Sequence, residues 1–479
     1  MTNRSVRSNN KQLPAFRNLI PTFIALCLLL LFSSLAALPA SAQQGPPTIY
    51  VSPSGSDATG TGSITSPYAT ISHAVSSAST GAVVVVEPGM YNEMVNISRT
   101  VTLESLTSNP SNTIINATGK VYGIFVLGAD SNGTVIEGFT VELANNHGIF
   151  VQDSSGVTIE HNDVVSNGLH PTACPSPPAT PTGPCIQENK AIELTGTSHS
   201  TVVDNQVINN LADGGIGIAD DGHINPGGLS GGTPNAAIGN VVSGNTVIGN
   251  LVGCGIVVAA YNPSEGVISN VVTNNYVVNG LPGGIVVAAD VPHTSAINNT
   301  VAYNTVLNNK IPGIIVHSNT PGDVVMGTII KDNTISGNGG FGPKTTGITL
   351  IGQINSTATV VSNTLISGNV VRNEFFGILA LNSTGTNVSS DNSFDPTVTV
   401  PLSGASIAAL PSFTTTINSV TTVQQAGTTV TSVTTVSSVT TVQQTTNATT
   451  ASILGIVGIV IALVAVGIGV GTLRRKQKP

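Results

Sequence analysis

GGIVVAADVPHTSAINNTVAYNTVLNNKIPGIIVHSN, residues 283–319, opens on Gly284-Ile285-Val286-Val287 and returns to Gly313-Ile314-Ile315-Val316. The Gly-Ile phrase starts at Gly123, Gly148, Gly215, Gly255, Gly284, Gly313, Gly347 and Gly377, with Ala191-Ile192 as a variant. Its later steps are 29, 29, 34 and 30 residues. A second row, Asn followed two residues later by Val or Ile, runs through Asn162, Asn205, Asn245, Asn275, Asn304, Asn333 and Asn369. Two rows that keep step define one supersecondary unit, stacked many times.

The unit is not helical, because no segment of ten or more residues repeats its apolar positions at period 3.6. It is not leucine-rich, because the rows are Val, Ile and Asn. Short strands with Asn and Gly at the corners remain, which is the pattern of an all-β parallel β-helix with coils about 4.8 Å apart. Val and Ile are expected to stack inside. Asn side chains are expected to stack at the bends and to satisfy buried polar groups along the axis.

Composition agrees with many strands and tight turns: 8% charged residues, 4% aromatic, no Trp and 52 Gly. The net charge of −8 conceals a split. Eight of the 15 bases lie at the two ends: Arg4, Arg7, Lys11 and Arg17, and Arg474, Arg475, Lys476 and Lys478. The remaining seven face 23 acids, so the middle of the chain stands near −16. Such a surface repels polyanions, and nucleic acid is excluded as a partner for want of clustered Lys and Arg.

The ends read as targeting and anchoring. Residues 1–42 resemble a secretory signal peptide: a basic start, the apolar run IALCLLLLF, and Ala40-Ser41-Ala42 as the cleavage site, with an uncleaved anchor as the alternative. Ser452–Leu473, within a predicted transmembrane helix over 451–473, is long enough to span a bilayer. The basic tail 474–479 then stays in the cytoplasm and the body lies outside. Residues 401–450 read as a Thr/Ser-rich, glycosylated stalk, or alternatively as a β-prone segment. Sequons occur at Asn96, Asn116, Asn132, Asn298, Asn355, Asn382, Asn387 and Asn447.

Thr48–Ser98 resembles the short module that opens many secreted pectin-lyase-like β-helix proteins. The matching parts are Tyr50-Val51-Ser52, Gly55-Ser56-Asp57, Ser66-Pro67-Tyr68-Ala69-Thr70-Ile71 and Val86-Glu87-Pro88-Gly89-Met90-Tyr91. With the later coils the resemblance covers about residues 48–395. It implies a right-handed coil with an N-terminal helical cap, here 43–100 with the first coil, followed by the solenoid proper over 101–400. Members include polysaccharide lyases, hydrolases, epimerases and plain surface proteins. The resemblance therefore implies a fold more firmly than a function.

Candidate chemistry follows the Gly-Ile phrases. Six residues past the first Gly stand Asp221, Tyr261, Asp290 and Asn319, with His223, His293 and His317 close by. As a carbohydrate site, Asp221 and Asp290 act as acid and base, His223 or His293 shuttles a proton, and Tyr261 stacks on sugar or serves as a second acid. As a metal site, Asp220, Asp221 and Asp290 hold Ca²⁺. The plain alternative is turn chemistry, which favours Asp and Asn without any ligand. Family motifs are incomplete: Asp220-Asp221-Gly222-His223 is a compressed fragment of the polygalacturonase pattern, and no Arg-x-Lys follows. Catalysis is thus left open; an enzyme would be a polysaccharide lyase or glycoside hydrolase. Cys174 and Cys185 are expected to form a disulfide, and Cys254 to be a small buried strand residue. The whole reads as a monomeric, single-pass cell-surface protein that binds or modifies extracellular polysaccharide, or else a non-catalytic adhesion or scaffold protein.

Overall fold

The computed structural model describes residues 45–169, 189–220, 235–263, 265–280, 283–318, 320–340, 344–352 and 361–404, and the backbone of 415–425 and 428–438. The chain divides into two compact units, 1–46 and 47–479. Only Gly45 and Pro46 of the first are described. The expected signal peptide, the 451–473 span, Cys174, Cys185, Asp221 and His223 lie outside the described residues. Among the described residues no helix is long and apolar enough to cross a membrane.

The second unit is a parallel solenoid. Its strands form four parallel sheets of 12, 11, 11 and 6 strands. One coil runs from Thr300–Ala302 in the first sheet through Thr305–Leu307 in the second and Ile314–Ser318 in the third to Val324–Met326 in the fourth. Each strand pairs with its counterparts one coil below and one above; Ile285, for example, lies between Ile256 and Ile314. The third sheet has the longest strands, up to the seven residues of Cys254–Ala260, and is called the long sheet below.

A five-residue grammar builds the corners. In Thr300-Val301-Ala302-Tyr303-Asn304, Val301 points into the core, Tyr303 turns the chain at φ +58 and Asn304 is buried. The next five residues repeat it, with Asn308 at φ +54 before buried Asn309. Positive φ favours Gly, Asn and Asp, which fill most such corners. The buried Asn then serves the backbone. Asn304 accepts from the N–H and Nδ2 of Asn275 at 2.9 and 3.0 Å, and its own Nδ2 donates to Val272 O and to Asn333 Oδ1, both at 3.0 Å. The ladder runs unbroken from Asn162 through Asn205, Asn245, Asn275, Asn304, Asn333 and Asn369 to Asn392.

The recurring Gly has an equally local cause. A Cβ on Gly284 would lie 2.3 Å from Gly313 O and 2.4 Å from Val306 Cγ1. Gly123, Gly148 and Gly255 meet Val141, Val164 and Val277 in the same way, at 2.3 to 2.5 Å. Where the second sheet turns into the long sheet, the core Val leaves no room for a side chain. The Gly-Ile phrase is therefore a corner followed by the first core residue.

A short helix within the 43–100 segment spans Ile71–Ser77 and buries Ile71, Ala74 and Val75. Its first turn is satisfied by carboxylates. Asp57 accepts from Ala69 N and Thr70 N at 2.8 and 3.1 Å, and Glu93 from Ile71 N and Ser72 N at 2.9 and 2.8 Å. The segment expected to be an extended stalk contains an antiparallel hairpin of Thr415–Gln425 and Thr428–Ser438. Thr and Val, its commonest residues, favour strands.

Candidate functional site

Alternation along the long sheet places Ile124, Ile149, Ile192, Ile216, Ile256, Ile285, Ile314 and Ile348 inside the solenoid. The residue after each faces outward. That outer row reads Phe125, Phe150, Glu193, Gly217, Val257, Val286, Ile315 and Thr349. A neighbouring row, two residues before each Ile, begins with Tyr122, His147, Lys190, Gly214 and Cys254.

The early coils bring together a set of residues that the sequence reading did not single out. His147 stacks on Phe150 at 4.5 Å and 12°, and Phe150 on Phe125 at 5.3 Å and 9°. Nδ1 of His147 lies 3.1 Å from Glu193 Oε2, 3.0 Å from Lys190 O and 3.2 Å from Lys190 N. Lys190 O can accept from Nδ1 and Lys190 N can donate to it, so the Lys190 backbone holds this nitrogen, with Glu193 Oε2 at ion-pair distance. Burial, reinforced by the Lys190 ammonium, pushes the imidazole down to about 3, although Lys190 O pulls the other way. It is neutral at pH 7. Burial, with Glu193 beside it, pushes the Tyr122 phenol up to about 12. Among the described residues its hydroxyl has no hydrogen-bond partner.

Lys190 is almost completely buried on this outer face. Its stem lies over Gly214 and Gly217, where a Cβ would meet Cδ at 2.4 Å and Cγ at 2.6 Å. The missing side chains of those two glycines make the trough that holds it. Nζ reaches Asp213 Oδ2 at 3.4 Å, and the Asp213 side chain is 40% exposed. Beyond this pair comes an apolar patch of Ala219, Val257, Ala259, Tyr261, Val286, Ala288 and Ile315. It ends at Asp290 and His317, with Nδ1 3.3 Å from Oδ1. The distance is that of an ion pair, but no hydrogen bond forms at this Nδ1. The Cys254 thiol, between the two polar groups, is pushed up to about 12 by burial and by Asp213.

The sequence-derived candidates are distributed differently from expectation. Asp290 meets His317 rather than His293. His293 turns the chain at φ +66, is exposed, and lays its ring against Gly322. Tyr261 is 7% exposed, and its ring belongs to the apolar patch rather than to an open sugar platform. Asp220 is buried, and its two oxygens accept from Tyr261 N at 2.7 Å and Asn262 N at 3.1 Å. Burial pushes that carboxyl up to about 7, against the pull of those backbone bonds. Of the residues expected to hold Ca²⁺, Asp220 is thus held by two backbone donors, and Asp221 lies outside the described residues. Among the described residues no group of three His, Cys, Asp or Glu could hold a metal ion. The missed residues Tyr122, His147 and Lys190 do carry a signal, since each stands two before an Ile of the repeat.

Residues 112–301 match the family model described as a right handed beta helix region. The solenoid is thus a right-handed parallel β-helix. A comparison with curated proteins gives no match. Among solved structures, the chain is similar to the Dettilon tailspike protein, at 17% identity over 73% of this chain and 69% of that one, with a TM-score of 0.42. It is similar to the A-module of a mannuronan C-5 epimerase from Azotobacter vinelandii at 14% identity, 69% and 91% coverage and a TM-score of 0.36. For the catalytic domain of a GH87 alpha-1,3-glucanase in complex with nigerose the values are 14%, 74%, 70% and 0.38.

Proposed function

We propose that the protein binds or modifies extracellular polysaccharide along the outer face of the long sheet. One observation carries this reading: the solenoid places ionisable side chains from successive coils on a single face, where its own packing does not require them. A buried ionic cluster costs stability compared with apolar packing. Such groups gather where a site needs them. Lys190–Asp213 and Asp290–His317 bound the apolar patch, which suits the apolar faces of a sugar chain. For cleavage, Asp290 with Asp221 would supply the proton transfers.

In this reading the helix Ile71–Ser77 caps the N-terminal end of the core, shielding the first coil from edge-to-edge pairing. The signal peptide, the Cys174–Cys185 disulfide, the glycosylated stalk and the 451–473 span place the body outside a membrane. Retention of full-length protein on immobilised polysaccharides, lost in Asp290→Asn, is the expected result. Folded protein that neither binds nor alters any glycan refutes it. A non-catalytic scaffold is the second reading, favoured by the burial of His147, Glu193 and Lys190, each at most 3% exposed.

A further inference from the structure

We infer that the long-sheet face takes an uncharged glycan and turns away polyuronates and sulfated chains, which rests on the carbohydrate reading above. The inference comes from an inventory of cations. Between residue 43 and residue 473 there are seven Lys and Arg, and all seven are described. Arg99 is spent on Ala78 O, at 2.7 Å from Nη1. Lys331 and Arg372 belong to the first and second sheets, away from this face. Lys344 sits over the Phe375 ring at 4.3 Å.

Lys120, Lys190 and Lys310 remain. Lys120 and Lys310 occupy equivalent rim positions six coils apart, a span of roughly 29 Å at the usual strand spacing. Within that span Lys190 is the single cation, and its charge is turned onto Asp213. Among the described residues, Glu193, Asp213 and Asp290 set three carboxylates beside it on this face. A polyuronate carries one carboxylate per sugar. Laid along the coils, it would set unpaired carboxylates against an acidic, poorly solvated surface. A bridging divalent ion would need a cluster of ligands, and the described residues offer no group of three. A neutral chain has no such penalty. Its hydroxyls can donate to Asp213 and Asp290, and its apolar faces suit Val257 and Val286.

The test is affinity gel electrophoresis of the full-length protein in EDTA, with soluble neutral glucan, mannan or xylan set against polygalacturonate and alginate. Neutral chains should retain it at least tenfold more strongly, with little change when salt is raised. Asp213→Asn removes the most exposed of these carboxylates and should raise polyuronate retention several-fold. The exposed Asp213 side chain makes this a surface change, and circular dichroism verifies the fold. Polyuronate retained as strongly as neutral chains overturns the inference and leaves the carbohydrate reading standing. Retention by neither class overturns both. An unchanged polyuronate response in Asp213→Asn also overturns the inference, because the acidic face would not be what excludes the anion.

Discussion

Replacing Asn304 with Ala removes a side chain that links three coils. Four hydrogen bonds disappear: two accepted from Asn275, one donated to Val272 O and one donated to Asn333 Oδ1. Each is worth about 1 kcal/mol net, and a buried group left without a partner costs about 1–3 kcal/mol. The Asn275 N–H loses this acceptor inside the wall, where water does not reach, because Asn304 and its neighbours in the ladder are about 1% exposed. The expected loss is about 3–5 kcal/mol, a large share of the stability of an ordinary domain. Asn304→Asp separates the contributions. The carboxylate still accepts from Asn275 but faces Val272 O and Asn333 Oδ1 with no proton to donate, so it should rescue little at pH 7 and more in acid. Urea unfolding gives the total, and hydrogen exchange of the 271–278 and 329–336 strands gives the location, since coils communicate through their neighbours. A loss below about 0.5 kcal/mol for Asn304→Ala, with unchanged exchange at Asn275, would refute the view that the ladder bears the wall.

Gly284→Ala should cost about 3 kcal/mol, the upper end for overpacking, because its Cβ meets the Gly313 carbonyl oxygen as well as Val306. Gly45→Ala, with nothing within 4 Å, is the neutral control, and thermal unfolding compares them. Asp220 and Glu374 are both pushed up to about 7, chiefly by burial, so the folded chain holds their protons more tightly than the unfolded chain does. Their contribution is full in acid below the ordinary carboxylate range, falls as pH rises towards about 7, and is flat above it. Asp220→Asn or Glu374→Gln should flatten that falling arm in urea midpoints measured against pH. His147, pushed down to about 3, has the opposite sign: its contribution is present above the ordinary imidazole range and is lost as pH falls towards about 3. His147→Gln should remove that acid-side loss, and an unaltered pH profile would count against a buried neutral imidazole.

The fold was legible because a solenoid repeats its local rules. A Gly that recurs with one period must meet the same neighbour each time, and the structure supplies that neighbour as a core Val. The Asn row was legible for the same reason, since one side chain serves the coils on both sides of it. The site was less legible because it depends on parity within a coil and on which side chain crosses to the next one. Asp220 and Asp221 are adjacent in sequence, yet Asp220 is consumed by the backbone of Tyr261 and Asn262. Counting six residues past each Gly found a genuine column, since Tyr261 and Asp290 each follow equivalent strands. It did not show that Tyr261 packs into the apolar patch of the outer face or that His317, which meets Asp290, comes from within the next strand.

Tyr122, His147 and Lys190 escaped because their coils are unequal. The steps from Ile124 to Ile149 and from Ile149 to Ile192 are 25 and 43 residues, outside the later rhythm. An insertion lengthens the loop without disturbing the register of the strands on either side, so chemistry can collect beside it at no cost to the stack. The same independence explains the trough of Lys190. Gly214 and Gly217 lack side chains on the one coil over which Lys190 must lie, whereas the coils above carry Cys254 and Val257 at those positions. That local exchange of bulk for a buried cation is the part of the surface that repetition alone does not dictate. It is therefore the part most exposed to test by Asp213→Asn.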